Sequence, residues 1–154
     1  MTQPGLRVAT HADADALGSV MFRAIHEGDS PYTQAQRIAW LSRPNSGPDW
    51  AARLAAQYVV LTEVDCITGF MTMTPEGTID LAFILPDARG QGLFAQLFDR
   101  IEAEARRLKL GRLTTIASLM AQPAFARHGF AIDHHETVVQ NGETLARAAM
   151  SKSL

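Results

Sequence analysis

Residues 78–118, TIDLAFILPDARGQGLFAQLFDRIEAEARRLKLGRLTTIAS, decide the fold. Thr78 to Leu85 reads as a strand, and Pro86 ends it because proline cannot continue a ladder. The loop Arg89-Gly90-Gln91-Gly92 follows. Gly92 to Lys109 then carries Leu93, Leu97, Ile101 and Leu108 on one face and charged residues on the other, the pattern of an amphipathic helix. Arg112 to Ala117 returns to a strand. A helix start leaves its first backbone N–H groups without intrahelical partners, so this loop gathers several of them around one concave spot. They point with the positive end of the helix dipole, which favours a phosphate there. Gly90 and Gly92 allow close backbone approach, and Arg89 adds a charged edge. A plain tight turn explains the same glycines equally well. No Gly-Lys-Ser/Thr follows, which excludes a Walker loop, and the three-glycine dinucleotide fingerprint is missing.

Upstream, Leu6 to Ala9 is a short strand. Thr10 and Asp13 form a capping-box variant that opens a helix bearing Leu17, Met21 and Ile25 at helical spacing, with Gly28 as its stop. Thr33 and Gln36 form a second capping box, and Ser46-Gly47-Pro48 starts a third helix with Trp50 and Leu54 inward. Tyr58 to Val64 and Ile67 to Thr74 are strands joined at Asp65-Cys66, and Pro75-Glu76-Gly77 turns into Thr78. Downstream, Ala121 to His128 is a short helix, and the tail from Phe130 is a hairpin about Asn141-Gly142. The order β-α-α-α-β-β-β-α-β-α-β-β predicts an α/β (α+β) fold, a mixed sheet flanked by helices, in one domain over residues 1–154.

Composition narrows the function classes. The 154 residues carry a formal charge of −2, which supplies no field for drawing in nucleic acid or an anionic membrane. Cys66 is the single cysteine, so no internal disulfide forms, and no metal cluster is legible around it. The opening MTQPGLRVAT lacks a signal-peptide core and no stretch approaches a membrane span, so a reducing cytoplasm is the expected compartment.

The central stretch resembles motif A of the GNAT N-acetyltransferase superfamily: Arg or Gln, two residues, Gly, one residue, then Gly or Ala. Arg89, Gly92 and Phe94 occupy those positions, and Phe83-Ile84-Leu85-Pro86 resembles the strand before it. A downstream frame, Asn-x-x-Ala-x-x-Phe-Tyr-x-x-x-Gly-Phe, is matched by Ser118, Ala121, Ala124, Phe125, Gly129 and Phe130. The element order is similar over nearly the whole chain, which implies a GNAT-like, mostly antiparallel sheet.

The resemblance implies acetyl-CoA as donor, with no metal, and a primary amine of a small molecule or peptide as acceptor, attacked directly in a ternary complex. It implies that the strand at 80–85 splays from the strand at 112–118. Backbone groups at Phe83, Ile84 and Leu85 would then pair with the pantetheine arm, and Arg89, Gly90, Gln91, Gly92, Leu93 and Phe94 would hold the pyrophosphate. Ser118, in place of asparagine, keeps a polar group for the cofactor. Phe94 replaces a small residue, and Phe125 stands where many relatives have the tyrosine that reprotonates the thiolate. Plain core packing beside Phe130 is the other explanation of Phe125.

A protonated alkylamine needs a base or a route for its proton. Asp80, polar amid Ile79, Leu81 and Phe83, is a candidate base or substrate anchor, and a strand-entry polar residue is the alternative. His26 and Glu27 end the first helix, in a region that lines the acceptor groove of related folds. A solvated helix end explains them as well. Tyr32 could reach that groove or act as a hydrophobic staple, and Glu27 with Asp29 would suit a cationic amine. A non-catalytic acyl-CoA sensor on the same fold is the second hypothesis. The C-terminal edge strand is a candidate surface for a homodimer.

Overall fold

The structure, a computed structural model, describes residues 5–154. Residues 1–4, which begin the stretch read above for a signal peptide, lie outside the described residues. The elements are β1 (Gly5–Val8), a 3-10 turn (His11–Asp13), α1 (Ala14–His26), α2 (Gln34–Trp40), α3 (Gly47–Ala55), β2 (Tyr58–Val64), β3 (Cys66–Met73) and β4 (Thr78–Ile84). A second 3-10 turn (Pro86–Ala88) precedes α4 (Leu93–Arg107), β5 (Arg112–Ser118), α5 (Gln122–Arg127), β6 (Ala131–Gln140) and β7 (Glu143–Ser153). The order matches the sequence pattern. The two 3-10 turns are the addition, one ahead of α1 and one ahead of the glycine loop that leads into α4.

Local chemistry explains the boundaries. At α2 the Thr33 hydroxyl accepts from the Gln36 amide and the Gln36 side chain accepts from the Thr33 amide, so both arms of the expected capping box form. At the hairpin, Asn141 and Gly142 take positive φ of 49° and 84°, as a two-residue turn between right-twisted strands requires. Gly18 on α1 has another task. A Cβ there would collide with the Asn45 carbonyl, so glycine is what lets the 41–46 segment lie against the helix.

Seven strands form one sheet in the order β1-β2-β3-β4-β5-β7-β6, antiparallel throughout except between β4 and β5. Two cores cover its faces. Leu97, Phe98 and Ile101 of α4 pack with Phe125 of α5 on Val60, Met71, Met73 and Leu113. On the other face Leu17, Met21 and Ile25 of α1 and Trp50 and Leu54 of α3 pack on Leu61, Phe70 and Leu81. Each such side chain stabilises the fold by about 1.5–3 kcal/mol relative to exposure.

The feature that positions the site is a break in the sheet. β4 is laddered to β3 along its length, but it pairs with β5 only at Thr78↔Thr114 and Ile79↔Thr115. Beyond Ile79 the two strands diverge, and the splay implied by the resemblance is present. The β3–β4 register also steps from Met73↔Ile79 to Thr72↔Leu81, leaving Asp80 as the extra residue of a bulge at the mouth of the gap.

Candidate active site

The direction of the β4 backbone beyond the bulge follows from two hydrogen bonds. The Leu81 amide donates to Thr72 Oγ1 and the Leu85 amide to the Thr68 carbonyl, both on β3. Strand groups alternate sides with a period of two, so Phe83 also faces β3 while Ala82 and Ile84 present N–H and C=O to the gap. The gap-facing Ile84 carbonyl accepts from Arg89 Nε at 3.1 Å. The sequence pointed to Phe83, Ile84 and Leu85; the geometry moves the available backbone to Ala82 and Ile84.

Two cavities meet at this edge. One, of about 370 Å³, is walled by Phe83, Ile84, Arg89, Gly90, Gly92, Leu93 and Phe94, with Ser118, Arg127 and His128 across from them. The other, of about 450 Å³, lies toward α2, α3 and the β6–β7 hairpin. Trp40, Ala82, Phe83, Ser118 and Ala121 line both, so the two are halves of one passage through the splayed sheet. Both volumes suit a small ligand.

The glycine loop is built as the sequence implied. Gly90 and Gly92 take φ of +76° and +80°. A Cβ at either would meet nothing within 4 Å, so glycine is needed there for its backbone angle and not for space. The first amide of α4 with an intrahelical acceptor is that of Gln96, bonded to the Gly92 carbonyl, so the amides of Leu93, Phe94 and Ala95 stand at the open first turn. The Phe94 ring turns aside onto Phe125 and His128, at 5.1 and 5.4 Å between centroids, and leaves the turn uncrowded.

Three of the expected cofactor residues are placed differently. Arg89 lines the cavity, but its guanidinium donates to the carbonyls of Ile84 and Ala24 and so ties β4 to α1. Burial and the neighbouring Arg37 charge hold its pKa below the ordinary arginine value. Leu85 is buried against β3, and the Gln91 side chain donates to the Asp87 carbonyl; neither lines the cavity. Ser118 lies at the junction, its hydroxyl accepting from the Ala121 amide at 3.3 Å.

Of the candidate catalytic side chains, the structure brings only Asp80 to the passage. Its carboxylate receives Arg53 Nε and Nη2 at 2.8 and 2.9 Å and Gln57 Nε2 at 2.7 Å. Burial alone would raise its pKa, but the hydrogen bonds from Arg53 and Gln57 outweigh it and hold the carboxyl below its usual value. His26 lines neither cavity. It stacks on Phe22, and its Nε2 lies 2.6 Å from the Leu41 carbonyl, which fixes the proton on that nitrogen. Glu27 pairs with Arg23 on the exposed end of α1 at 3.1 Å, and Asp29 also lies outside both cavities.

Tyr32 does reach the larger cavity, as a clamp. Its hydroxyl donates to the Ala146 carbonyl at 2.6 Å and accepts from the Leu119 amide at 2.9 Å. Burial pushes the phenol's pKa up. Phe125 is 1% exposed between Phe94 and Phe130, a core residue as its alternative explanation had it.

Sequence reasoning missed Ala82, Trp40, Arg53 and Arg147. Ala82 acts through its backbone, which carries no residue-type signal. The other three converge from α2, α3 and β7, and no local spacing links them. Among the described residues no group of three or more His, Cys, Asp or Glu side chains is placed to hold a metal ion, and no helix is long and apolar enough to cross a membrane.

Residues 31–153 match the model of the acetyltransferase (GNAT) domain. No curated protein matches the sequence. Among solved structures, a GCN5-related N-acetyltransferase from Rhodopseudomonas palustris is 30% identical over 100% of this chain and 98% of its own, with a TM-score of 0.91. An acetyltransferase from Salmonella typhimurium, solved with its cofactor acetyl-CoA, is 20% identical over 99% and 95%, TM-score 0.69. A phosphinothricin acetyltransferase from Sinorhizobium meliloti in complex with acetyl-CoA is 17% identical over 99% and 89%, TM-score 0.73, a likeness of fold. With a match this long to the domain model and a near-complete alignment at 30% identity, the chain belongs to the GNAT acetyltransferase family.

Proposed function

We propose that the glycine-loop cavity receives acetyl-CoA, that the larger cavity receives a primary amine of a small molecule or peptide, and that the acetyl group passes directly between them in a ternary complex. The observation that carries this is the β4 edge. Its unladdered backbone stands where the two cavities join, with the glycine loop and the open first turn of α4 at one end and the larger cavity at the other.

Bound acetyl-CoA supplies an acyl group activated as a thioester. The residues would hold it by three devices. The open first turn of α4 and the left-handed Gly90 and Gly92 offer amides to the pyrophosphate. The gap-facing groups of Ala82 and Ile84 offer strand-like pairing to the pantetheine amides. The Ala82 N–H, at the junction, is suited to polarise a carbonyl oxygen. Trp40 and Phe83 wall the junction where thioester and amine would meet.

Asp80 serves as a fixed anion that orients the acceptor pocket. A carboxylate already holding three hydrogen bonds, with a depressed pKa, is a poor proton acceptor near neutral pH. Phe125 has no proton to give and the Tyr32 hydroxyl is engaged at both its donor and acceptor sides, so proton exchange is assigned to water.

Initial rates of thiol release, measured while both acetyl-CoA and amine are varied, test the reaction order. Intersecting reciprocal plots are expected. Parallel plots, the mark of a covalent enzyme intermediate, would refute direct transfer.

A further inference from the structure

The charges lining the larger cavity bear on the acceptor. Its ionisable side chains are Tyr32, Arg53, Asp80 and Arg147, with Asp80 the single acid. That acid is spoken for: Arg53 grips it with two nitrogens and Gln57 adds a third bond. Glu27 and Asp29, the acids that would have suited a cationic amine, face elsewhere. The pocket therefore holds no spare anion for a second ammonium group.

It does hold an underused cation. Arg147 on β7 lies directly across the ladder from Ser118, the serine at the junction of the two cavities. Partners opposite each other on neighbouring strands project to the same face, so Arg147 stands beside the junction. Its contact with Glu136 is a loose one, Nε to Oε1 at 3.4 Å, and that buried Nε donates no hydrogen bond. Arg53, by comparison, is held to the Asp80 carboxylate by two short bonds, at 2.8 and 2.9 Å. Arg147 lines the cavity with its Nε turned to Glu136, so its two terminal nitrogens are the edge left for an oxyanion, which they can take through two parallel N–H groups. On the remaining wall Met21, Trp40, Leu41 and Leu145 stand beside the polar Asn45 and Gln140.

We infer that the acceptor is an amino-acid-like amine whose oxyanion is held by Arg147 while its amine reaches the junction at Ala82. This rests on the larger cavity being the acceptor site. Arg147 is a binding and specificity residue; it takes no part in proton transfer.

The test measures thiol release with purified protein, acetyl-CoA and four amine sets: the standard amino acids, their carboxamides, the matching 1-aminoalkylphosphonates, and linear diamines. At least one carboxylate or phosphonate amine is expected to exceed its carboxamide counterpart, and every diamine, by at least about 10-fold in kcat/KM, the scale of a charge-assisted pair. Which oxyanion wins separates the carboxylate from the phosphonate source. Arg147→Gln is expected to collapse that preference toward unity mainly through KM, and Arg147→Lys to restore part of it. Carboxamides or diamines used as well as the anionic amines, or a preference unmoved by Arg147→Gln, would overturn the inference. Calorimetric titration of each variant with acetyl-CoA keeps the two levels apart. Loss of acetyl-CoA binding in the wild type would sink the donor site itself, whereas intact binding with the wrong amine preference sinks only the oxyanion.

Discussion

The two halves of the passage meet at one strand but are made of different material. The half proposed for the donor is built mainly from backbone: left-handed Gly90 and Gly92, the first-turn amides of α4, and the open edge of β4. The half proposed for the acceptor is built from side chains that four separate elements bring together, Trp40 from α2, Arg53 from α3, Asp80 from β4 and Arg147 from β7. A backbone site tolerates change in most of its side chains but not in its φ angles or N–H groups. A side-chain site can be retuned one residue at a time while the sheet stays as it is. On the proposed assignment, the fold fixes the donor and leaves the acceptor to local substitution.

The largest effect expected from this contrast is at Gly92. Gly92→Asp places a β-carbon on a left-handed residue, at about 1–2 kcal/mol, and an anion where first-turn amides converge. Acetyl-CoA affinity by calorimetry is expected to fall about 100-fold or more, while the melting temperature falls by only about 2–8 °C, the share of the backbone strain, because no atom lies within 4 Å of the new Cβ. Gly92→Ala separates the two causes and is expected to retain most of the affinity. A Gly92→Asp variant that binds normally would break the backbone description of the donor half.

Next is Ala82→Pro, which deletes one gap-facing N–H and costs no β3–β4 ladder bond. The expected result is a fall of about 100-fold in kcat with a smaller change in acetyl-CoA affinity, as for loss of one oxyanion donor. Equal losses in kcat and binding, or a large drop in melting temperature, would show that Ala82 serves the fold and not the reaction.

Legibility in the sequence divided along the same line. Asn141-Gly142, the Thr33–Gln36 box and the Leu93/Leu97/Ile101 face specify local geometry by short-range rules, so the element order and the glycine loop ahead of α4 were readable. The gap was readable only through resemblance to a family, because the divergence of β4 from β5 is decided by packing on both faces. Phe83 and Leu85 were singled out for backbone that in fact faces β3, since strand parity past a bulge cannot be counted before the bulge at Asp80 is located. Arg53 and Arg147 sit 94 positions apart in the chain and become neighbours of one cavity only through the sheet.

Smaller effects are expected in the acceptor half. Asp80→Asn removes the bidentate partner of Arg53. The pair is partly screened, with side chains 44% and 27% exposed, so a stability loss of about 1 kcal/mol and a change in kcat below about 5-fold are expected. A fall of 100-fold, recovered at high pH, would instead make Asp80 the proton acceptor. Acid titration sharpens the same point. Because the folded pKa of Asp80 is depressed, its stabilisation is fully present above the unfolded value of about 4 and fades as pH drops through the folded one. Asp80→Asn should therefore shallow the loss of stability below pH ~4 and leave the curve above pH ~5 parallel to the wild type.

The donor claim is tested most directly by residue-resolved amide hydrogen exchange with and without saturating acetyl-CoA. In the free protein Ala82 and Ile84 should exchange fast, having no partner in the gap, and Phe83, laddered to β3, slowly. Acetyl-CoA should slow Ala82 and Ile84 by at least about tenfold while Phe83 changes little. Unchanged exchange at Ala82 and Ile84 under saturation would contradict pairing of the donor with the open edge of β4.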